Sequence, residues 1–337
     1  MAQKILITGA AGFIGSHLVD LLLSKNIKPQ QLRLLVFNDE PLINLPDKDF
    51  EIVRGDVRDP KCVNQAVAGV KTIYHLAARI DFEGKSFAAY QDVNVAGTQN
   101  LINAVKKHQL QLQKFVFFSS IAVFGLPADI GEIKGWKETQ PKNYTNFYGQ
   151  SKWAAEKKIV KAHQQWGLPY AIVRPASVYG PREQGPTLAL YRAIKNHRFV
   201  IIGDGQNKLH YVYVKDLVTG AYLAAQSSLK AGDYILAGAQ PTKLVTVVKE
   251  VAASINEKVP NWHLPQSLAM LAAYGLAGLG KLTGIKPLLY PSRVRTMTTT
   301  YYYDISKAKK ELNYQPQISF KQGARLTGQW YLANNYL

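Results

Sequence analysis

Short apolar runs alternate with amphipathic segments along the first half of the chain. Most of these runs lack polar alternation, a pattern typical of strands that are covered on both faces. Strands that alternate with helical segments predict a parallel sheet with helices on both sides, so we expect a doubly wound α/β fold. The predicted strands run from Lys4 to Thr8, Leu32 to Phe37, Glu51 to Gly55, Thr72 to Leu76, Lys114 to Ser119 and Tyr170 to Arg174.

The alternation loosens beyond about residue 177. Pro and Gly become frequent there, and helical segments follow one another without regular strands between them. We therefore expect a larger domain over residues 1–177 and a smaller lobe over residues 178–337. Because no linker separates the two, the lobe is expected to be interwoven with the first domain and to return strands to its sheet.

One later segment, from Leu268 to Gly280, is uncharged and rich in Leu, Ala and Gly. At 13 residues it is too short to span a bilayer. One interpretation is a buried helix or a lid over the active site. The other is a surface-lying apolar helix that admits a lipid-like substrate and makes a peripheral membrane contact, with support from the positive charge of the protein.

The charge balance favours anionic ligands. The 337 residues include 41 Lys and Arg but only 23 Asp and Glu, a formal net charge of +18. The basic residues are spread out, and the densest groups have the spacing of solvated helix faces. Since no aromatic-plus-basic pattern of a nucleic-acid module accompanies them, we expect no nucleic-acid partner.

Three further features bear on the setting of the protein. The chain starts with Met1 and enters an apolar run at once, so we expect no secretory signal. A single cysteine, Cys62, cannot form an internal disulfide, which agrees with a reducing, cytoplasmic location. None of the seven histidines has the spacing of a metal cluster, so no metal site is predicted.

A glycine-rich turn follows the first predicted strand directly. Gly9 permits a tight turn, Gly12 lets the backbone approach a pyrophosphate, and Gly15 allows the next helix to pack closely on the sheet. The start of that helix then directs N–H groups and a positive dipole end at the phosphates. The position of the turn between a first strand and a first helix predicts a dinucleotide site.

Tyr148 and Lys152 lie four residues apart in a sequence with good helix propensity. Residues at this spacing share a helix face, so both side chains can reach one ligand. A tyrosine with an ordinary pKa of about 10 is too weak a base at neutral pH. A neighbouring ammonium would lower that pKa, and we expect Lys152 to do so while Tyr148 exchanges a proton with a substrate oxygen.

Together these motifs resemble the extended short-chain dehydrogenase/reductase superfamily, also called the NAD-dependent epimerase/dehydratase family. The resemblance covers nearly the whole chain and implies a Rossmann-type fold, a bound NAD or NADP and a substrate-binding C-terminal lobe. It makes Ser120, after the fifth strand, the third catalytic residue beside Tyr148 and Lys152, with Ser119 as a structural neighbour. The expected cofactor-binding residues are Gly9, Gly12, Phe13, Ile14, Gly15, Asn38, Asp56, Val57, Leu76, Ala77, Ala78, Asn94, Tyr148, Lys152, Pro175, Ser177 and Val178.

The end of the second predicted strand bears on the choice between NAD and NADP. An acid there accepts the 2′-OH of NAD, whereas an arginine holds the 2′-phosphate of NADP. The sequence continues with Asn38, Asp39 and Glu40 and has no arginine at this point. NAD is therefore favoured, with NADP left open.

The substrate is less constrained. Leu209 stands where the resemblance places a diphosphate-pairing arginine in nucleotide-sugar epimerases. The surrounding residues, the segment from Ile80 to Lys85 and the tail from Tyr303 to Leu312 resemble instead 3β-hydroxysteroid dehydrogenases, sterol-decarboxylating dehydrogenases and dihydroflavonol reductases.

The leading hypothesis is reversible oxidation of a secondary alcohol on a largely apolar small molecule. Nucleotide-sugar epimerisation or dehydration is the alternative, and a non-catalytic NAD(P)-sensing protein is a third possibility. The resemblance also implies a homodimer, formed through the helices after the fourth and fifth strands.

Overall fold

The computed structural model describes residues 4–80, 86–125, 130–283 and 290–337. In chain order its strands are β1 (Lys4–Thr8), β2 (Leu32–Val36), β3 (Glu51–Arg54), β4 (Val70–His75), β5 (Lys114–Phe118), β6 (Ile133–Trp136), β7 (Tyr170–Pro175), β8 (Ser177–Tyr179), β9 (Ile201–Ile202), β10 (Lys208–Leu209), β11 (Tyr211–Tyr213), β12 (Ala231–Leu236), β13 (Thr242–Lys243), β14 (His263–Leu264) and β15 (Tyr301–Tyr303). Seven of them form one parallel sheet in the order β3-β2-β1-β4-β5-β7-β12. The predicted doubly wound α/β fold is confirmed.

Helices cover both faces of this sheet. In chain order the longer helices of the described residues are α1 (Phe13–Ser24), α2 (Pro60–Val67), α3 (Gly97–Lys107), α4 (Phe147–Trp166), α5 (Pro186–Lys195), α6 (Val214–Gln226), α7 (Leu244–Ser254), α8 (Gln266–Thr283), α9 (Pro291–Thr298), α10 (Ser306–Leu312) and α11 (Phe320–Ala333). Helices α1 and α6 pack together on one face, and α2, α3 and α4 pack on the other. Consecutive residues of a strand point to opposite faces. Leu6 and Ile7 of β1 accordingly enter two different apolar clusters, and both are fully buried.

The helix ends follow from local sequence. Asn146 caps α4, because its Oδ1 accepts a hydrogen bond from the N–H of Gly149 at 2.7 Å. At the other end, Gly167 adopts a left-handed conformation with φ of 79°, which terminates the helix. This 20-residue helix therefore has a fixed start beside the cavity described below.

The later chain returns to the central sheet and also builds short strand pairs above it. β12 adds the final parallel strand beside β7. β8 and β11 pair in parallel, with Ser177 opposite Tyr211 and Tyr179 opposite Tyr213. Because strands and helices from the later chain cover the carboxyl ends of the sheet, a chamber is enclosed there. The domain boundary at residue 177 stays a prediction.

Helix α8 contains the apolar segment from Leu268 to Gly280. The structure contradicts the interpretation of a buried helix, because Leu268, Leu271 and Leu279 are each more than half exposed. None of the described residues of α8 lines the cavity below. In the parts of the chain that the structure covers, no helix combines the length and apolarity needed to cross a membrane.

Candidate active site

A cavity of about 1260 Å³ opens at the carboxyl ends of β1, β4, β5 and β7. The strand order reverses between β1 and β4, which is where ligands bind in open α/β sheets. Its described lining contains most of the expected residues, namely Gly9, Gly12, Phe13, Ile14, Gly15, Asp56, Val57, Leu76, Ala77, Ala78, Ser120, Tyr148, Lys152, Pro175, Ser177 and Val178. One cavity therefore joins the glycine turn to the Tyr148 helix.

The glycine turn is built for close approach. Gly9 has φ of +68°, and a Cβ there would lie 2.9 Å from the backbone nitrogen of Ala77. A Cβ on Gly15 would lie 2.1 Å from the carbonyl oxygen of Gly9. At Gly12 the nearest protein atom to such a Cβ is 3.4 Å away, so this glycine is free of protein crowding and faces the cavity.

The residues present fit a dinucleotide. Gly12 is the N-cap of α1 and provides no side-chain cap, and the first turn has no acidic residue. The N–H groups at this helix start therefore meet the cavity, where a pyrophosphate would satisfy them. Asp56 and Val57 lie at one end of the cavity, and Pro175, Ser177 and Val178 lie at the other.

Two expected cofactor-binding residues do not line the cavity. Asn38 is exposed, and the neighbouring Phe37 and Glu40 line the wall in its place. Asn94 is buried behind the wall. The turn after β2 explains the first difference, since Glu40 donates its N–H to the carbonyl of Phe37 at 2.7 Å and is folded back toward the site.

The edge near Glu40 also holds two arginines that the strand pattern did not reveal. Arg58 lines the cavity and contacts the Asp56 carboxylate at 2.6 Å. Arg54 donates to the backbone oxygens of Asn38 and Glu40 at 2.5 and 3.2 Å. Both guanidinium groups therefore already have acceptors in the protein. The carboxylates on this part of the wall are Glu40 and Asp56, and Asp56 is paired with Arg58.

Tyr148, Lys152 and Ser120 meet at the centre of the cavity. Tyr148 and Lys152 are 6% and 2% exposed. The Lys152 ammonium donates to the carbonyl oxygen of Phe118 at 2.8 Å and lies 5.9 Å from the centroid of the Tyr148 ring. Ser120 is hydrogen-bonded to the Tyr148 phenol, and its Oγ accepts from the N–H of Ala122 at 3.1 Å. The structure thus brings the three expected catalytic side chains together.

The electrostatics differ from the expectation that Lys152 lowers the pKa of Tyr148. Burial raises the pKa of Tyr148 to about 12, although the hydrogen bond with Ser120 acts in the opposite direction. Burial also lowers the pKa of Lys152 to about 7, against the opposing charge of Glu156. Lys152 does not lower the pKa of Tyr148 in this structure, because its desolvated ammonium donates to the carbonyl oxygen of Phe118. Its effect on Tyr148 beside a bound nicotinamide stays a prediction.

Asn94 lies in a segment whose resemblance to the family implies support of the active site, and its contacts give it a positioning role. Its Oδ1 accepts from the N–H of Arg79, and its Nδ2 donates to the carbonyl of Arg79 and to the Ser151 hydroxyl. Ser151 in turn donates to the carbonyl oxygen of Tyr148 at 2.8 Å. Asn94, within the π-helix Gln91–Ala96, therefore ties the loop after β4 to the helix that carries Tyr148.

A buried hydrogen-bond chain runs beneath the cofactor side. The N–H of Ala77 donates to the Thr8 hydroxyl, which bonds His75 Nδ1 at 2.8 Å. His75 Nε2 lies 3.0 Å from the Thr98 hydroxyl, which donates to the carbonyl of Asn94. Because the Thr98 hydroxyl donates its one proton to that carbonyl, it can only accept from His75, so Nε2 of His75 must be the protonated nitrogen. Burial lowers the pKa of His75 to about 3, so the ring is neutral, and this chain fixes the loop at Ala77.

A buried ion pair anchors α4 one turn beyond Lys152. Arg174 of β7 donates to both Glu156 oxygens at 2.9 and 2.7 Å and to Asp233 at 2.6 Å. Ser119 donates to Glu156 at 2.5 Å, which agrees with its predicted structural part. Charges from three elements of the core thus hold the orientation of the helix that carries Tyr148.

Gly149 brings α4 close to the loop after β5. A Cβ at this position would lie 2.3 Å from the carbonyl oxygen of Ala122. This contact is the one that sets Tyr148 beside Ser120, because Ala122 is two residues from Ser120. The sequence shows a glycine directly after Tyr148, but the close approach to Ala122 that requires this glycine is visible only in the structure.

The arrangement can perform acid–base chemistry at one oxygen. Tyr148 and Ser120 both reach the cavity and can hydrogen-bond a single hydroxyl or carbonyl oxygen of a ligand. Tyr148 would take up the proton of an alcohol or return it to a carbonyl. A bound nicotinamide would supply or accept the accompanying hydride.

The substrate side of the cavity comes from the later chain. Its described lining after Pro175 is mainly apolar or aromatic and includes Tyr179, Leu190, Tyr191, Tyr211, Val247, Val251, Tyr301 and Phe320. These residues come from helices and strands far apart in the sequence, so the periodicity of any single segment did not reveal them. Leu209 is buried in β10 and does not line the cavity.

Comparison with known proteins adds to this geometry. A model of the NAD dependent epimerase/dehydratase family matches residues 5–237. The chain belongs to this family. The resemblance noted from its motifs is therefore confirmed, and the family is one of NAD-dependent enzymes.

Relatives of two chemical kinds cover nearly the whole chain. An N-acetyl-alpha-D-glucosaminyl-diphospho-ditrans,octacis-undecaprenol 4-epimerase of Escherichia coli O157:H7 is 31% identical, over 91% of this chain and 89% of its own. A 3-beta-hydroxysteroid dehydrogenase of Mycolicibacterium neoaurum is 29% identical, over 95% of this chain and 88% of its own. The solved UDP-glucose 4-epimerase of Thermotoga maritima shares the fold, with a TM-score of 0.78, 22% identity and coverage of 99% and 100%.

Proposed function

We propose that this protein catalyses reversible hydride transfer between a pyridine nucleotide and a secondary alcohol on a substrate whose larger part is apolar. The proposal rests on the lining of the substrate side of the cavity, which is formed by residues after Pro175. Among the described lining residues after Pro175, Glu183 is the only charged one. Its carboxylate already accepts hydrogen bonds from the backbone N–H groups of Gly185 and Leu188, so it has a local structural use.

A nucleotide-linked sugar would be a poor ligand for this chamber. Its diphosphate is normally held by Arg or Lys side chains. The chamber instead presents aromatic and aliphatic side chains, and burial of an apolar ligand against them contributes about 25 cal/mol per Å². These features favour a steroid-like or similar hydrophobic alcohol.

NAD is the nucleotide that the adenosine end favours. Glu40 lines the cavity and can accept the ribose 2′-OH, whereas a 2′-phosphate would be repelled by this carboxylate. The nearby Arg58 is already paired with Asp56. We expect NADH to bind at least tenfold more tightly than NADPH in a fluorescence titration.

The direct test is net reduction of NAD⁺ with a panel of steroid-like secondary alcohols. Wild-type protein should produce NADH, and Tyr148→Phe should lower kcat by roughly 10²- to 10⁴-fold, the usual contribution of general acid–base catalysis. NADH affinity of this variant should stay within about threefold of wild type, because Tyr148→Phe removes only the hydroxyl. Full activity of Tyr148→Phe would contradict the proposal and favour a protein that only senses the nucleotide.

A second candidate is epimerisation of a sugar carried on a lipid diphosphate. The similarity to the undecaprenol-linked 4-epimerase over 91% of the chain favours it, as does the exposed apolar helix α8. In an epimerase the hydride returns to the same substrate, so no NADH accumulates. Conversion of a lipid-linked N-acetylhexosamine without net NADH would select this candidate, and NADH formation from apolar alcohols would select the first.

A further inference from the structure

Exposed apolar side chains are concentrated on one part of the surface. Among the described residues, sixteen large hydrophobic side chains are exposed, and eight of them lie at residue 200 or between residues 259 and 279. These eight, here called the apolar face, are Val200, Val259, Trp262, Leu268, Leu271, Tyr274, Leu276 and Leu279. β14 pairs with β9, which brings Val200 and Trp262 together, and α8 continues directly from β14. Such a concentration marks an interaction surface.

Helix α8 has the reverse of the usual amphipathic pattern. Its fully buried residues are the small Ala269 and Ala273, which pack with Ile202 and Val294. Leu268, Leu271 and Leu279 are exposed instead, and Leu271 is 71% exposed. A helix on the surface of a globular protein normally buries its large apolar side chains. The outward side of α8 is therefore built to meet an apolar environment.

The charge around the apolar face identifies that environment. From Lys258 to Tyr303 the sequence contains five Lys or Arg residues and no Asp or Glu. Lys258 and Arg295 are exposed, and Arg295 donates to the Tyr274 hydroxyl at 3.3 Å, beside the leucines. Exposed leucines and aromatic side chains with the cations of Lys258 and Arg295 beside them are what an anionic lipid surface attracts.

We propose that the apolar face docks this protein onto an anionic lipid bilayer. Eighteen residues of α helix extend roughly 27 Å at 1.5 Å per residue, and α8 would lie along the bilayer surface with its leucines among the upper acyl chains. The exposed Lys258 and Arg295 would contact the lipid phosphates. The occupant is thus the membrane surface and not a second protein.

The docking position would also determine how the substrate enters, an inference that rests on the proposed function. Helix α9 packs against α8, and its Thr296 is exposed and lines the cavity. The cavity therefore opens beside the apolar face. An apolar alcohol dissolved in the bilayer would enter the chamber near Thr296 without passing through bulk water.

The test is flotation of the full-length protein with vesicles of phosphatidylcholine alone or with 30% phosphatidylglycerol, without nucleotide or substrate. We expect binding to the anionic vesicles at 50 mM salt, at least tenfold weaker binding at 500 mM salt, and little binding to the neutral vesicles. Leu271→Ser combined with Leu279→Ser should weaken anionic-vesicle binding at least tenfold. The matched control, Ile43→Ser with Leu332→Ser, removes two exposed apolar side chains elsewhere and should bind as wild type does.

Several results would overturn the proposal. They are no binding to anionic vesicles at 50 mM salt, equal binding to both vesicle types, or equal binding of the Leu271/Leu279 variant. A wild-type dimer that this variant dissociates would assign the apolar face to a second copy instead. Turnover of a short, water-soluble secondary alcohol should be unchanged in the variant. Vesicle binding without any turnover would reject the proposed function alone, and turnover without vesicle binding would reject the docking alone.

Discussion

Gly12 and Gly15 of the opening turn differ in the space that the protein leaves for a Cβ atom. At Gly15 the space is filled by the carbonyl of Gly9 at 2.1 Å, so the glycine serves the packing of the protein itself. At Gly12 the nearest protein atom is 3.4 Å away, and the backbone has an ordinary φ of −68°. The fold itself therefore does not require a glycine at this position, and the space beside it is open to a ligand.

Substitution of these glycines should separate folding from nucleotide binding. Gly12→Ala should keep the wild-type Tm within a few degrees but lower NADH affinity at least tenfold, since its methyl group would enter the pyrophosphate position. Gly15→Ala should lower the Tm markedly, because backbone must move to admit the methyl group. Thermal unfolding and NADH fluorescence titration measure both effects. Tight NADH binding by Gly12→Ala would argue against the dinucleotide site.

The adjacent serines after β5 have separate neighbours and should respond differently. Ser119→Ala removes one hydrogen bond to the buried Glu156 and should cost about 1–2 kcal/mol of stability with little change in kcat. Ser120→Ala removes the partner of the Tyr148 phenol and should lower kcat about 100-fold. Urea unfolding and steady-state kinetics on both variants check this. Equal kcat values for the two variants would contradict the assigned roles.

At the scale of elements, α4 is the part of the structure on which the chemistry depends. Its start is capped by Asn146 and pressed onto Ala122 at Gly149, and its first two turns are joined to Asn94 through Ser151. One turn further on, Glu156 is held by Arg174. Tyr148 and Lys152 therefore lie on a helix that is fixed before any ligand binds, as catalysis by preorganised groups requires.

Breaking the Glu156 anchor should affect both stability and rate. Glu156→Gln leaves the Arg174 guanidinium buried with only Asp233 as a charged partner, and should cost about 3–5 kcal/mol. The same change at Glu51, whose pair with Arg33 is part-exposed, should cost at most about 1 kcal/mol. Urea unfolding of the two variants gives the comparison. A loss below 1 kcal/mol in Glu156→Gln would exclude a strong anchor.

The order and approximate bounds of the central strands were predictable because each strand is a short apolar run that can be read within its own segment of the sequence. A run such as that from Lys114 to Ser119 is apolar on both faces, and the structure ends this strand at Phe118. The glycine turn and the Tyr148–Lys152 pair were predictable for the same reason, since spacing along one helix or turn fixes their geometry. Asp56 and Ser120 came from the family resemblance, and both line the cavity.

Features that depend on tertiary contacts could not be predicted from the sequence. The two-residue strands of the later lobe exist only through their pairing partners, and the chamber is assembled from side chains more than 100 residues apart. Apolarity of the segment from Leu268 to Gly280 predicted a helix but not the side that faces outward. The raised pKa of Tyr148 follows from burial, which spacing alone does not give.

On the scale of the whole molecule, the net charge of +18 bears on the expected homodimer. The exposed faces of α3 and α4 carry Lys106, Lys107, Lys157, Lys158 and Lys161. A dimer through these helices brings like charges together, which added salt would screen. We therefore expect sedimentation velocity to show a larger dimer fraction at 500 mM than at 50 mM salt. A monomer at both salt concentrations would contradict the dimer.

The stability of the whole chain should depend on pH through the buried His75. In the unfolded chain a histidine takes up a proton below about pH 6.5. In the fold burial, and secondarily the positive charge of Lys152, lower the pKa of His75 to about 3, so the ring stays neutral down to about that pH. Since the unfolded state binds the proton first, the contribution of His75 is complete above pH 6.5 and falls as the pH drops toward 3.

His75→Gln isolates this contribution. A glutamine can accept from Thr8 and donate to Thr98 but does not titrate, so it loses less stability on acidification. Between pH 7.5 and pH 5 the free energy of unfolding of wild type should fall by about 2 kcal/mol more than that of the variant. Urea unfolding of both proteins at the two pH values measures the difference, from which all other titrating groups cancel. Parallel losses would mean that His75 is charged in the fold, so that its Nδ1 donates to the Thr8 hydroxyl instead of accepting from it.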